Sequence, residues 1–161
     1  MSAPAQIRPT RAEVDLDALA HNLLVVRRAA AGARVLAVVK ADAYGHGLLP
    51  VARRLAREGI DGFGVALVEE GLSLRAAGID VPILVLNGIY DGAHLATLRA
   101  GLTPVVYDLG DVAAFATAAA TLDRTAEVHL KVDTGMTRLG VPLDRLEAFL
   151  DGFEGATRLR I

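Results

Sequence analysis

The 161-residue sequence predicts an α/β fold in which parallel strands are joined by helical crossovers. Three observations lead there. Short apolar runs alternate with longer stretches of helical periodicity, at about 20 to 30 residues per unit, and such spacing requires βαβ connections. The helical stretches stop at glycines, among them Gly32, Gly59, Gly78 and Gly101, where a left-handed C-cap is needed. The intervening runs are short and apolar, as strands under helices are. Two architectures satisfy this pattern: an open doubly wound sheet, or a (β/α)8 TIM-type barrel that is incomplete. Six strands fit at most, the last broken off at Ile161, whereas a closed barrel needs eight strands and about 250 residues. A truncated barrel is the favoured expectation.

In order along the chain, the first ten residues carry Pro4 and Pro9 and read as an extended lead-in. Residues 12–16 (AEVDL) alternate apolar and charged side chains, the pattern of a half-exposed strand. Behind Asp17 as N-cap, Leu19, Leu23 and Val26 recur at helical spacing. Residues 35–39 (VLAVV) have the composition of a strand buried on both faces. Helices are then expected over 48–57, 68–77, 92–100, 111–120 and 143–150. Strands are expected over 63–66, 82–86, 104–107 and 127–132, with a further one starting at 158.

Composition narrows the function. The chain is 53% hydrophobic but only 4% aromatic, so its core is aliphatic. A net charge of −2 with both signs dispersed offers no basic stripe for nucleic acid and no polybasic membrane anchor. No apolar run reaches the length of a membrane span, and MSAPAQIRPT lacks the apolar centre of a signal peptide. Without cysteine there is no disulfide frame and no thiolate metal site. His21, His46, His94 and His129 lack metal-ligand spacing, so packing or surface roles are expected. The expectation is a soluble cytoplasmic protein.

Reactive groups of α/β folds gather at the carboxyl ends of parallel strands. Lys40 stands where the apolar run 35–39 ends, followed by Asp42, Tyr44 and His46. An amine held out of water is costly unless neutralised, paired or covalently used. Schiff-base chemistry with a carbonyl is therefore one reading of Lys40, and snorkelling into solvent is the other. Asn87-Gly88 follows the run ILVL, and a third constellation, HLKVDTGMTRLG, carries Lys131, Asp133, Thr134 and Arg138. Lys131 lies within the strand pattern, either aimed inward or tied by an ion pair to Asp133 or Glu127. Arg138 has the planar fork that suits a carboxylate, or else packs on the following helix. Tyr44 either packs or offers its hydroxyl to a ligand phosphate.

The segments AVVKADAYGHG and HLKVDTGMTRLG resemble the two signature stretches in the N-terminal half of bacterial alanine racemases. RPTRAEVDLDALAHNL resembles that family's amino-terminal segment. The resemblance implies a pyridoxal-phosphate (PLP) enzyme with a (β/α)8 barrel followed by a mostly β C-terminal domain. Residues 1–161 would be the N-terminal portion of the barrel, with the β domain outside this chain. It further implies a homodimer that converts L-alanine to D-alanine for peptidoglycan. By this resemblance Lys40 carries PLP as a Schiff base and is one of two acid/base groups. Tyr44 contacts the cofactor phosphate, and Leu86 lines the cofactor ring. Lys131, carbamylated in many members, holds Arg138, which reaches the cofactor's phenolic oxygen and the substrate carboxylate. The second base, a tyrosine of the partner's C-terminal domain, has no counterpart here. Alternatives are a racemase of another amino acid such as serine, or a non-catalytic PLP-binding barrel, against which Lys131 and Arg138 speak. The chain alone is expected to bind PLP weakly, to lack racemase activity and to self-associate.

Overall fold

The computed structural model describes residues 10–90 and 92–161; of the lead-in expected over the first ten residues, 1–9 lie outside them. The principal strands are β1 (Leu36–Val38), β2 (Gly62–Val65), β3 (Ile83–Val85) and β4 (Thr103–Val106). They continue as β5 (Ala126–Glu127), β6 (His129–Leu130), β7 (Val132–Asp133), β8 (Val141–Pro142) and β9 (Leu159–Arg160). Between them run α1 (Leu16–Ala29), a short turn α2 (Lys40–Gly45), α3 (Leu48–Arg57) and α4 (Val68–Ala76). The series closes with α5 (His94–Arg99), α6 (Leu109–Thr121) and α7 (Leu146–Glu154).

Every strand pair is parallel, and the main sheet runs β1-β2-β3-β4-β6, with β5 passing its hydrogen bonds on to β9. A doubly wound sheet reverses its strand order at a switch point. Here the order follows the chain without reversal. Right-handed crossovers then place all helices on one face, which is the construction of a barrel wall. This removes the doubly wound alternative.

The core lies between sheet and helices, in two adjoining clusters. The first packs Val39, Phe63, Val65, Ile83 and Val85 against Leu23 of α1, Val51, Ala52 and Leu55 of α3 and Leu74 of α4. The second packs Val106 and Val128 against Leu98, Val112, Phe115, Ala119 and Phe149. Burying each large aliphatic or phenyl side chain contributes about 1.5–3 kcal/mol, so short helices with little stability of their own are held by this face. One arginine ties the bottom of the wall. Arg75 donates from Nε to Ala100 O (3.0 Å), from Nη1 to Ile79 O (2.6 Å) and Val81 O (2.8 Å), and from Nη2 to Gly101 O (2.9 Å). Its planar fork thus joins carbonyls of the α4–β3 connection to carbonyls at the end of α5.

Most elements fall within one or two residues of their expected bounds, and four expectations are corrected. Residues 12–15 form no strand; Asp15, not Asp17, caps α1, its Oδ1 accepting the N–H groups of Asp17 and Ala18 at 2.9 Å each. β1 is not buried on both faces: Leu36 and Val38 are 44% and 43% exposed, because among the described residues β1 is hydrogen-bonded to β2 alone. The strand expected over 127–132 is divided into β5, β6 and β7, each with a different partner. The helix expected over 143–150 opens as a 3₁₀ turn, Leu143–Arg145, before α7 begins.

Candidate functional site

The carboxyl end of β1 departs from ordinary backbone. Val39 N–H still donates to Gly64 O (2.9 Å), continuing the β1–β2 ladder. The chain then turns at Val39 (φ −120°, ψ 18°), and after the half-buried Lys40 four residues in succession are left-handed. Ala41, Asp42, Ala43 and Tyr44 have φ between +51° and +55°. Each costs an L-residue roughly 1–2 kcal/mol, so this turn, α2, is held by its surroundings. Asp42 Oδ1 accepts Leu48 N–H at 2.6 Å, and Gly47 N–H donates to Asp42 O at 2.9 Å. Ala43 is buried and donates to Val39 O at 2.9 Å. From across the fold, Glu70 Oε1 accepts Ala41 N–H at 2.7 Å, while its Oε2 accepts Ala66 N–H (2.8 Å) and Leu67 N–H (3.1 Å).

Because the strands are parallel, several expected site residues share one end of the sheet. Lys40 follows β1, Leu86 follows β3, and Lys131 follows β6. Lys40 and Leu86 are separated by two strand spacings, roughly 10 Å. Leu86 N–H donates to Val65 O at 2.8 Å. Its side chain and that of Val38 lie over Gly64, where a Cβ would stand 3.2 Å from Leu86 Cδ1 and 3.4 Å from Val38 Cγ2. They therefore occupy the face opposite Phe63 and Val65, away from the helices. Lys131 is half-buried, and its backbone is gripped on both sides: its N–H donates to Val106 O (2.9 Å) and its carbonyl accepts Val141 N–H (2.8 Å). Lys40 and Lys131 are the only lysines of the chain.

Arg138 sits exposed in the loop between β7 and β8. That loop is shaped by Asp133, whose Oδ1 accepts Gly135 N–H (3.0 Å) and Thr137 N–H (2.9 Å). Hydrogen bonds from Thr137 and Gly135 hold the Asp133 carboxyl below the usual carboxylate range. The loop closes at Gly140 (φ +126°), where a Cβ would lie 2.7 Å from Asp133 N and 2.9 Å from Val132 C, so no larger residue fits there.

The ion-pair alternative for Lys131 is corrected: Glu127 pairs with Arg160 and Asp133 is engaged with backbone. Among the described residues neither lysine, nor Arg138, forms a side-chain hydrogen bond or ion pair with another site residue. Tyr44 is 61% exposed. It lines, with His46, a cleft of about 550 Å³ between α1, β1 and α3 that takes in none of Lys40, Leu86, Lys131 or Arg138. His94 Nε2 lies 2.9 Å from Asp111 Oδ1, and its ring meets Phe115 edge-on at 4.7 Å. Among the described residues no group of three acidic, histidine or cysteine side chains is arranged for a metal, and no helix is long and apolar enough to cross a membrane. Sequence reasoning missed Glu70 and the left-handed turn. The only trace of Glu70's role is its place three residues beyond Leu67, half of a capping box.

The chain matches the family model described as "Alanine racemase, N-terminal domain" over residues 14–161. It is 49% identical over 143 residues to an alanine racemase of Geobacter sulfurreducens, covering 88% of this chain and 37% of that protein. The solved alanine racemase of Clostridium difficile 630, in complex with cycloserine, superposes with a TM-score of 0.87 at 33% identity, over 98% of this chain and 44% of that one. A histidine racemase from Leuconostoc mesenteroides superposes at 0.81 with 30% identity, over 89% of this chain and 39% of its own. An alanine racemase from Bartonella henselae with covalently bound pyridoxal phosphate also superposes at 0.81, with 28% identity, over 89% and 42%. The chain therefore spans about two fifths of the length of these relatives.

Proposed function

Because this chain belongs to the alanine racemase N-terminal domain family, we propose that it is the amine-bearing part of a PLP-dependent enzyme interconverting L- and D-alanine. One observation carries the reading: a half-buried lysine at the carboxyl end of a parallel strand, followed by a left-handed turn. Strain of this kind persists where surrounding structure over-determines it, and such places cluster at functional sites.

The donor set fits the cofactor. Lys40 supplies a primary amine for its aldehyde carbon, Leu86 an apolar side chain for the ring face, and Tyr44 a phenol for a phosphate oxygen. When bound, PLP supplies an electron sink that eases removal of the substrate's α-proton. The Lys40 amine would take or return that proton at one face of Cα. Arg138 holds the substrate carboxylate with its fork. Lys131 Nζ, condensed with carbon dioxide to a carbamate with loss of a proton, presents an anion that orients Arg138. A partner copy and a further β domain supply the base on the opposite face, in a cytoplasmic homodimer that serves cell-wall synthesis. The likeness to a histidine racemase favours a second reading, a racemase of another amino acid.

The test incubates the chain with PLP, traps with borohydride and maps the adduct by mass spectrometry. The expected result is label on Lys40, lost in Lys40→Ala, without racemase turnover by the 161 residues alone. L-alanine is expected to release Lys40 from trapping faster than L-histidine. Label spread evenly over Lys40, Lys131 and the N-terminal amine would overturn the assignment.

A further inference from the structure

We infer that Glu70 is a positioning residue for Lys40, its carboxylate fixing the Lys40–Ala41 peptide against the start of α4 and so setting the direction in which the amine leaves β1. This rests on the reading of Lys40 as the amine that takes the cofactor's aldehyde. The two carboxylate oxygens divide their work. Oε2 accepts both Ala66 and Leu67 N–H groups, at 2.8 and 3.1 Å, and satisfies the entry to α4 by itself. Oε1 is surplus to that cap and is used on Ala41, 29 residues earlier in the chain, at the shortest of the three distances (2.7 Å). Ala41 is the first of the four left-handed residues, directly joined to Lys40. Among the described residues no other side chain from outside residues 40–48 hydrogen-bonds to this turn.

The chemistry of the carboxylate makes the role separable from helix capping. A glutamine offers one accepting oxygen and, in place of the second, a nitrogen that only donates. If its oxygen stays on Ala66 and Leu67, its amide NH₂ faces Ala41 N–H, donor against donor, and the turn is released while α4 keeps its cap. An aspartate keeps the charge but is one methylene shorter and cannot span the two sites. Position and charge are thereby told apart.

Amide hydrogen exchange and borohydride trapping with PLP, on the wild-type chain, Glu70→Gln and Glu70→Asp, test the inference. In wild type the Ala41 amide is expected to be protected. Both variants are expected to speed its exchange about tenfold or more, Glu70→Gln leaving the amides of α4 unchanged. Both are also expected to lower trapping at Lys40 by about tenfold or more at equal folded fraction by circular dichroism. Labelling of the N-terminal amine, the internal standard, should be unaltered. An unprotected Ala41 amide in folded wild type overturns the inference, and that measurement decides it even if both variants unfold. So does wild-type trapping at Lys40 in either variant once folded fraction is matched. Failure of the wild-type chain to trap at Lys40 instead removes the reading of Lys40 itself. That failure is recognised because Ala41 exchange in Glu70→Gln is still faster than in wild type.

Discussion

Asp133 acts on its loop through two hydrogen bonds and a charge. Thr137 and Gly135 N–H groups favour its ionised form, so its folded pKa lies below the unfolded one. The sign follows from linkage. The stabilisation is present above the unfolded pKa and is lost as pH falls through the depressed folded value, when protonation removes the charge that strengthens both bonds to Oδ1. The amides of Gly135 and Thr137 are therefore expected to lose protection together in the acid range, below the pH at which an ordinary carboxylate titrates. Asp133→Asn should lack this pH step. Two-dimensional NMR against pH reads both, and a step that survives in Asp133→Asn would assign it to another group. The consequence reaches Arg138, which stands one residue beyond Thr137 in the same exposed loop.

Among the elements, the left-handed turn runs against the preferences of its own sequence. Ala, Asp, Ala and Tyr all disfavour positive φ, and the turn exists because Glu70, Asp42 and the burial of Ala43 hold it. Glycine at exposed Ala41 is accordingly expected to leave stability unchanged or raise it by up to about 1 kcal/mol, relief of strain offsetting the extra freedom of the unfolded chain. Glycine at Ala52, inside right-handed α3 and fully buried, is expected to cost about 1 kcal/mol or more. Urea denaturation of the two variants tests the contrast; equal losses at both positions would mean that the turn stores no strain. The same comparison explains what could be read in advance. Helices closed by Gly59, Gly78 and Gly101 are legible because cap and residue type agree locally. Lys40 and Leu86 are legible as strand-end residues because apolar runs mark their strands, whereas Lys131 reads as lying within a strand. The turn after Lys40 and its contact with Glu70 are not, because a tertiary bond imposes a conformation that local propensity opposes. The strand over 127–132 misleads for a similar reason: its alternation is regular, but its hydrogen bonds are divided among β9, β4 and β8.

At the scale of the molecule, consecutive strand order and one-sided helices leave the two faces of the wall unlike. The helix-covered face contains both hydrophobic clusters. The opposite face carries Val38 and Leu86 over Gly64, with Leu36 beside Gly62. In a barrel such side chains are packed in interior layers, yet Leu36 and Val38 are more than two fifths exposed. Among the described residues β1 also has one edge without a strand partner. A free edge beside an apolar patch is a template for pairing with another chain. The 161-residue chain is therefore expected to associate reversibly in sedimentation velocity, its mean mass rising with concentration. Lysines at both positions, Leu36→Lys with Val38→Lys, place inward-facing charge along that edge and are expected to shift the chain to monomer with its circular dichroism retained. Wild-type chain that stays monomeric across the concentration range would mean that the exposed face is too small, or the edge too short, to recruit a second copy. Association unchanged in the double variant would move the contact elsewhere, toward the exposed Leu24 and Val25 of α1.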